Sequence, residues 1–249
     1  MALFASARPF LDFHQTLRVN CMSVLLYLSG VLATLVVLAA QPGAVAQSTS
    51  LLHQRHLRDV VSSTWPSLRF HFKIKRNCMD IYGHKDFSLY ANPVVSTDET
   101  SVLYDVFATF NSGIAVYNYT RVDGVPYLQT TEEDTTTKCL PSDMNDFPPI
   151  NAIISALSEA TPLSKTKKSI KCSGTLFKVK ADDLNFILCA SPNGLELYGS
   201  DMDITVRYRK HRVKIVAPRS DEDCEAEEVS SSVSSIGRAL LTGTERYAT

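Results

Sequence analysis

The 249-residue sequence lacks an excess of charge of either sign. Its 25 Lys and Arg residues nearly balance 26 Asp and Glu residues, and the formal net charge is −1. A near-neutral chain gives no broad argument for binding nucleic acid, so nucleic acid is not an expected partner. The local basic cluster near the C-terminal end is interpreted as a solvated hairpin face. It consists of Arg207, Arg209, Lys210, His211, Arg212 and Lys214.

The sequence also lacks the common catalytic and metal-binding motifs. It contains no G-x-S-x-G, no P-loop, no G-x-G-x-x-G and no H-E-x-x-H. Neither a C-x-x-C nor a His pair at ligand spacing is present, which argues against a zinc site. The pairs Asp182/Asp183 and Asp201/Asp203 lie in predicted turns, where Asp is favoured for backbone reasons. The sequence therefore predicts a protein that is not an enzyme and that holds no metal or cofactor.

The first 46 residues have the features of a secretion signal. An apolar stretch over 24–40 is followed by the helix-breaking Pro42-Gly43 and then by an Ala-x-Ala ending, which is typical of signal-peptidase sites. We expect cleavage before Gln47, and the alternative is a signal anchor that stays in the membrane. Residues 1–21 are either part of this signal or an untranslated extension upstream of a start at Met22. With cleavage, the mature chain is secreted and has no membrane span.

Secretion predicts how the cysteines are used. Five of the six cysteines follow the cleavage site, and an oxidising compartment predicts that most of them are paired. Five cysteines allow two bridges and one free thiol. The candidates are Cys78, Cys139, Cys172, Cys189 and Cys224.

Asn118 begins the sequon Asn-Tyr-Thr, and it is a predicted N-glycosylation site provided that it faces solvent.

Residues 66–218 have the pattern of an antiparallel β domain. Leu68–Arg76 alternates apolar and charged residues, as expected of a strand with one buried face. Pro126 predicts that the strand containing it is weak or lies at an edge, and Glu132–Lys138 is predicted to be a polar loop. The other strands predicted in this half are Asp86–Tyr90, Ser101–Phe110, Gly113–Arg121 and Val125–Thr130.

A second group of strands is predicted between Cys172 and Ala217. These strands are Gly174–Lys180, Asp183–Ala190, Leu195–Tyr198, Asp203–Tyr208 and Val213–Ala217. A turn at Ala181-Asp182 would place Phe177 opposite Phe186, an aromatic pair of the kind that stabilises sheets. Short connections between these runs predict a meander rather than a helix.

The same register bears on the pairing of Cys172 and Cys189. It places Cys189 opposite Gly174, so Cys172 is only a diagonal neighbour, at about 7–8 Å between Cα atoms. That distance exceeds comfortable disulfide reach. Either a bulge at Ser173-Gly174 closes the gap, or each cysteine pairs elsewhere, with Cys78 and Cys139 as partners.

One amphipathic helix is predicted inside the β domain. Ile150, Ile153, Ile154 and Leu157 recur at i, i+3, i+4 and i+7, the stripe of a helix that buries one face. A sheet face is the expected partner for this stripe.

After Pro218 the composition becomes acidic and Ser-rich, which predicts a disordered tail over 219–249 with a transient helix at Val233–Leu241.

Residues 47–65 form an N-terminal segment with a predicted helix over Leu51–Val61. Inside it, Arg55-His56-Leu57-Arg58 resembles the RxLR motif of secreted oomycete effectors. This resemblance implies an effector that contacts a host protein in another cell. The alternative is that these residues belong to an ordinary amphipathic helix.

A second resemblance covers roughly residues 66–224. The order of short motifs resembles ependymin-related secreted proteins and, more distantly, the LolA-like lipoprotein-carrier fold. The motifs are Leu103-Tyr104-Asp105, Gly113, the sequon, a strand ending at Leu128, Lys138-Cys139, Pro148-Pro149, Val216-Ala217-Pro218 and Cys224. The resemblance implies a curved antiparallel half-barrel whose apolar concave face is partly plugged by a helix, and binding of lipids or other hydrophobic ligands.

Together these observations predict a mainly β (α+β) domain, a curved antiparallel sheet or half-barrel with one covering amphipathic helix. The predicted function is non-enzymatic binding of a hydrophobic ligand or an extracellular partner; the alternative is an RxLR-type effector. A gap between helix and sheet would be a mostly apolar pocket. Its predicted lining is Ile154, Leu157, Phe177, Phe186 and Leu188. The alternative is that these five residues form a dry, packed core.

Overall fold

Antiparallel strands make up most of the described chain. The computed structural model describes residues 64–141, 147–163, 170–226 and 230–244. Its strands are β1 (Ser67–Ile74), β2 (Asp86–Val95), β3 (Ser101–Ser112), β4 (Ala115–Val122), β5 (Val125–Thr131), β6 (Thr135–Cys139), β7 (Thr161–Pro162), β8 (Thr175–Ala181), β9 (Leu184–Ser191), β10 (Gly194–Gly199), β11 (Met202–Arg209) and β12 (Ser231–Ser232). The helices are α1 (Ile150–Ser158) and α2 (Ser235–Thr242). The predicted mainly β class is confirmed.

The strands form one open sheet built from two meanders. The order across it is β6-β5-β4-β3-β2-β1-β11-β10-β9-β8-β7, and β12 pairs with β3 off this path. The meanders join where β1 pairs with β11, from Ser67 opposite Arg209 to Ile74 opposite Met202. The alternation predicted for β1 is confirmed, because Leu68, Phe70 and Phe72 are at most 1% exposed.

Helix α1 shows that the sheet is curved. It contacts both β3 and β8, which are six strand positions apart. At about 4.8 Å per strand, a flat sheet would separate them by roughly 29 Å. A nine-residue helix is only about 13 Å long. Both halves of the sheet therefore bend towards α1.

The predicted amphipathic helix is confirmed by α1. Its stripe of Ile150, Ile153, Ile154 and Leu157 is buried, with at most 4% of any of these residues exposed. The sequence pattern did not identify Asn151, which is also buried. Its carboxamide accepts a hydrogen bond from the Tyr104 N–H (2.9 Å) and donates one to the Tyr104 carbonyl (3.2 Å). Asn151 thus completes the hydrogen bonding of β3 where no β4 residue pairs with Tyr104.

The β8–β9 register differs from the prediction by two residues. The turn lies at Asp182-Asp183 rather than Ala181-Asp182, so Phe177 faces Leu188 and not Phe186. Asp182 has φ of 50°, a left-handed backbone that Asp tolerates better than Ala. The Asp123-Gly124 hairpin between β4 and β5 is confirmed, with φ of 52° and 81° at its two turn residues.

Two disulfides join described residues. Cys172 and Cys189 are bonded at a Cα–Cα distance of 5.7 Å. The predicted bulge is not what joins them: the chain bends at Ser173-Gly174 before β8 begins, and Leu176 is the residue opposite Cys189. A Cβ at position 174 would lie 1.8 Å from the Ala190 carbonyl oxygen, so only glycine fits there. Cys139 and Cys224 form the other bridge, with Cα atoms 5.5 Å apart. Cys78 is disulfide-bonded as well, so the expected leftover thiol is not found in the described part of the chain.

Three predictions about strands are wrong. Val213–Ala217 pairs with none of the described strands, because side chains rather than a ladder hold it. The predicted loop Glu132–Lys138 contains β6, whose Thr residues favour extended structure although they are polar. Strand β5 pairs on both sides, and Pro126 is tolerated because the β5–β6 ladder begins only at Tyr127.

The C-terminal region also differs from the predicted disordered tail. Residues 230–244 contain β12 and α2, and α2 packs against α1 with Leu240 and Leu241 fully buried. Ser234 caps α2 through a hydrogen bond from the Gly237 N–H, and Tyr208 donates one to the Leu240 carbonyl (2.7 Å).

No helix in the described residues is long and apolar enough to cross a membrane. The predicted signal peptide, the Leu51–Val61 helix and the Arg55–Arg58 motif lie outside the described residues.

Candidate functional site

The five residues predicted to line an apolar pocket lie in the main hydrophobic core. Each is at most 2% exposed. None of them lines the cavity described below. The residues are Ile154, Leu157, Phe177, Phe186 and Leu188.

An extended segment runs from the end of β11 past β2 to β6, and at β2 it contacts Asn92, whose side chain points away from that of the core residue Ala91. Residues 210–224, here called the strap, follow β11 and end at the disulfide with β6. Near its start, the Asn92 Nδ2 donates to the Val213 carbonyl (2.6 Å), and the Arg212 guanidinium donates to the Pro93 carbonyl (3.0 Å). Near its end, the Glu222 carboxylate accepts from the Cys139 N–H (2.9 Å). The strap is therefore fixed at β2 and again at β6, with β3, β4 and β5 between them.

A cavity of about 270 Å³ lies between the strap and the neighbouring ends of β2, β3 and β4. Its wall combines aliphatic side chains with charged groups of both signs. The aliphatic residues are Pro93, Val94, Val122, Val213, Ile215 and Val216, and the polar ones are Asn92, Asp105, Asp123, Arg212 and Lys214. Such a wall suits a small ligand that has an apolar body and a charged or polar end.

Hydrogen bonds orient the polar groups of this wall. Asp105 Oδ1 accepts from the Asp123 N–H (2.9 Å), which ties the β4–β5 turn to β3. The Asn92 Oδ1 accepts from the Ser67 hydroxyl (2.8 Å), so both ends of this carboxamide are engaged. Two sequence signals mark these residues, the Asp-Gly turn and the apolar run Val213–Ala217. That run predicts a strand, and only the Cys139–Cys224 bridge reveals a strap.

One tyrosine beneath the cavity wall has a shifted pKa. Tyr104 precedes Asp105 and points to the core side, where it is 0% exposed. Burial raises its pKa well above the ordinary value; nearby Tyr208 adds to this, and Arg212 opposes it. Among the described residues, the Tyr104 hydroxyl has no hydrogen-bond partner. It is therefore a buried phenol that stays neutral.

Two further pKa shifts have local causes away from the cavity. The Tyr198 hydroxyl donates to Glu196 Oε2 (2.5 Å), and this hydrogen bond, with some burial, raises the pKa of Tyr198 to about 12. Hydrogen bonds from Ser96 and Thr100 lower the pKa of Asp98 to about 2 in the β2–β3 turn. Both sets of hydrogen bonds stabilise the local conformation of a strand or a turn.

The remaining predicted sites have separate environments. The Asn118 carboxamide accepts from the Thr109 hydroxyl (2.8 Å) and is half-buried, while the sequon's Thr120 is 5% exposed. Arg207 pairs with Glu196 (3.4 Å), and Arg209 lies over the Tyr90 ring (5.2 Å to the centroid). The predicted basic cluster is thus divided between strand β11 and the strap.

No group of three or more His, Cys, Asp or Glu side chains in the described ranges is placed to hold a metal ion. No protein-family model matches the chain, and no curated protein matches it. The ependymin-like and RxLR-like resemblances therefore stay predictions from the sequence.

Proposed function

We propose that this chain is a secreted, non-enzymatic protein that binds a small amphiphilic ligand in the cavity beneath the strap. The observation that carries this proposal is the cavity itself, with aliphatic walls, charged groups of both signs and a cover fixed at two points. Its volume of about 270 Å³ is just below the roughly 300–1,000 Å³ typical of small-molecule sites. The ligand is accordingly small, with a short apolar body.

The charges indicate how such a ligand would lie. Arg212 and Lys214 belong to the strap, whereas Asp105 belongs to β3 and Asp123 to the β4–β5 turn. An anionic end group would face the strap, and the aliphatic body would contact Val94 and the other apolar side chains. Binding would then hold the strap more firmly against the sheet.

We also propose that the curved sheet is a half-barrel with α1 as its covering helix. The contacts of α1 with β3, β8 and α2 support this architecture. With α1 filling the concave face, the ligand site lies on the opposite face, under the strap. The concave face lined by Phe177 and Leu188 is the competing location.

A titration with 1-anilinonaphthalene-8-sulfonate, an apolar probe with one sulfonate, tests the site. We expect one probe per chain, and Val94→Phe should weaken binding by about tenfold because it fills the cavity. Val116→Phe is the matched control, since it is also half-buried but lies away from the cavity. Unchanged binding by Val94→Phe, together with a loss in Leu157→Ala, would move the site to the concave face. Unchanged binding by both variants would reject both sites.

Secretion is tested by expressing the full chain in eukaryotic cells. We expect the protein in the medium with Gln47 as its first residue, and a decrease in mass on enzymatic removal of a glycan from Asn118. Retention in the membrane would support the signal-anchor alternative.

Native mass spectrometry of the same material should show a small molecule bound to the chain. A ligand-free mass under gentle conditions would count against the proposed function.

The effector hypothesis has its own test, since replacing Arg55 and Arg58 by Ala should abolish delivery into a host cell.

A further inference from the structure

The two edges of the sheet differ in how they are protected. At one edge, β7 is two residues long and contains Pro162, whose missing N–H blocks pairing with a further strand. At the other edge, β6 is five residues long, and β5 is the only described strand that pairs with it. An open edge of this kind is a template for another strand.

The hydrogen bonds already present show which β6 groups face outward. The Leu140 N–H bonds inward to the Pro126 carbonyl (3.1 Å), whereas the Cys139 N–H bonds outward to Glu222. Backbone groups alternate in direction along an antiparallel strand. The N–H and C=O groups of Thr135 and Thr137 therefore point away from β5, towards the open edge.

Charges flank these outward groups. Asp134 directly precedes β6, and Lys138 lies within it. Neither has an ion-pair partner among the described residues. The two are four residues apart and are therefore placed symmetrically about Thr136.

We propose that β6 pairs antiparallel with β6 of a second copy of this chain, around a two-fold axis at Thr136. Thr135 then exchanges both backbone hydrogen bonds with the partner's Thr137, and Thr137 does the same with the partner's Thr135. Asp134 lies opposite the partner's Lys138, where opposite charges attract. This inference does not depend on the proposed ligand site.

The register follows from the groups that are available. An axis at Thr137 would require the Cys139 N–H, which Glu222 already occupies, and would place Lys138 opposite a threonine. The axis at Thr136 uses only the unoccupied pair of residues and matches both charges. A two-fold contact needs such a self-complementary surface, which favours a second copy over an unrelated strand. The contact is short, so the association is weak and reversible.

Sedimentation velocity on the full secreted chain, from about 1 µM to about 1 mM, tests the pairing in the range of weak association. We expect a monomer–dimer equilibrium. Thr137→Pro should raise the dimer Kd at least about tenfold, because it removes an outward N–H on each copy without breaking a bond to β5. Thr137→Val is the matched control and should dimerise like the natural chain, since it keeps the backbone N–H.

A charge exchange tests the register independently of any folding effect of proline. Lys138→Glu should weaken dimerisation by about tenfold, because Asp134 then faces a like charge. The double variant Asp134→Lys/Lys138→Asp should restore the dimer, since the opposite charges still meet across the axis. A natural chain that stays monomeric throughout the concentration range would overturn the proposal, as would a double variant as weak as Lys138→Glu. Amides of Thr135 and Thr137 that are protected from exchange in such a monomer would show that this chain covers its own edge.

Discussion

Helix α1 and the strap are each a single segment that contacts strands of the same sheet, but they are held differently. The α1 stripe is completely buried in the core. In the strap, Val213 and Ile215 are half-buried, Val216 is 55% exposed, and a cavity remains beneath. Helix α1 places four apolar residues on one side, whereas the strap offers only Val213 and Ile215 at alternate positions, and both stay half-buried. Packing therefore holds α1, and polar bonds and a disulfide hold the strap.

This difference predicts that the strap relies on the Cys139–Cys224 disulfide to keep its position, whereas packing holds the rest of the domain. Chain-entropy arguments give a loss of about 4.6 kcal/mol for opening the Cys139–Cys224 bridge, which spans 85 residues. They give about 3.1 kcal/mol for Cys172–Cys189, which spans 17. The paired Cys→Ala variants should show this order in urea unfolding, and the reverse order would contradict it.

The same variants should separate stability from binding. Loss of Cys139–Cys224 frees the far end of the strap, so probe binding in the cavity should be lost in protein that is still folded. Loss of Cys172–Cys189 should leave binding intact, because that bridge joins the segment before β8 to β9, and neither cysteine lines the cavity. Equal binding by both variants would mean that the strap does not close the site.

Truncations on the two segments should differ in a similar way. Ile153→Ala in α1 removes a fully buried side chain and should cost about 2–5 kcal/mol. Val213→Ala in the strap removes a half-buried one and should cost about 0.5 kcal/mol or less. Urea unfolding measures both, and equal losses would show that the strap is packed as tightly as the helix.

Two buried asparagines, Asn151 and Asn92, allow the same substitution to be compared at the helix and beside the strap. Asn151→Ala leaves the Tyr104 N–H and C=O without partners inside the core and should cost about 1–3 kcal/mol. Asn92→Ala removes one bond to the buried Ser67 hydroxyl and one to the partly buried Val213 carbonyl of the strap, so it should weaken probe binding and cost less stability than Asn151→Ala. A larger loss of stability from Asn92→Ala than from Asn151→Ala would reverse the comparison.

The sequence predicted the elements whose pattern is local. Alternation identified β1, and the i, i+3, i+4, i+7 spacing identified α1, because each signal lies within one element. It did not predict the strap, because Val213 and Ile215 alternate like a strand and their actual contacts lie on β2, far away in sequence. It located α2, as a helix at Val233–Leu241, but placed it as transient within a disordered tail, since the acidic residues before Ser235 dominate the local composition although Leu240 and Leu241 are buried.

The strand register and the roles of individual side chains could not be predicted from the sequence either. One residue of difference in the turn changed every pair between β8 and β9. In the sequence, Asn151 looks like a polar residue on the solvent-exposed side of a helix, because its partner Tyr104 lies on a different element, at a point of β3 where no β4 residue pairs. The cavity residues have no shared motif, because four separate segments contribute them.

The smallest expected effects concern two tyrosines, one on each side of the sheet. Burial raises the pKa of Tyr104, and the hydrogen bond to Glu196 raises the pKa of Tyr198 to about 12. Both shifts favour the protonated phenol in the fold, so their contribution to stability is complete below pH 10 and is lost as pH rises through the folded pKa. Ultraviolet titration of Tyr198→Phe should therefore lack a step near pH 12. Glu196→Gln should move that step towards pH 10 and leave Tyr104 unchanged, because burial rather than a partner controls Tyr104. A Tyr198 step that stays near pH 12 in Glu196→Gln would show that Glu196 is not the cause.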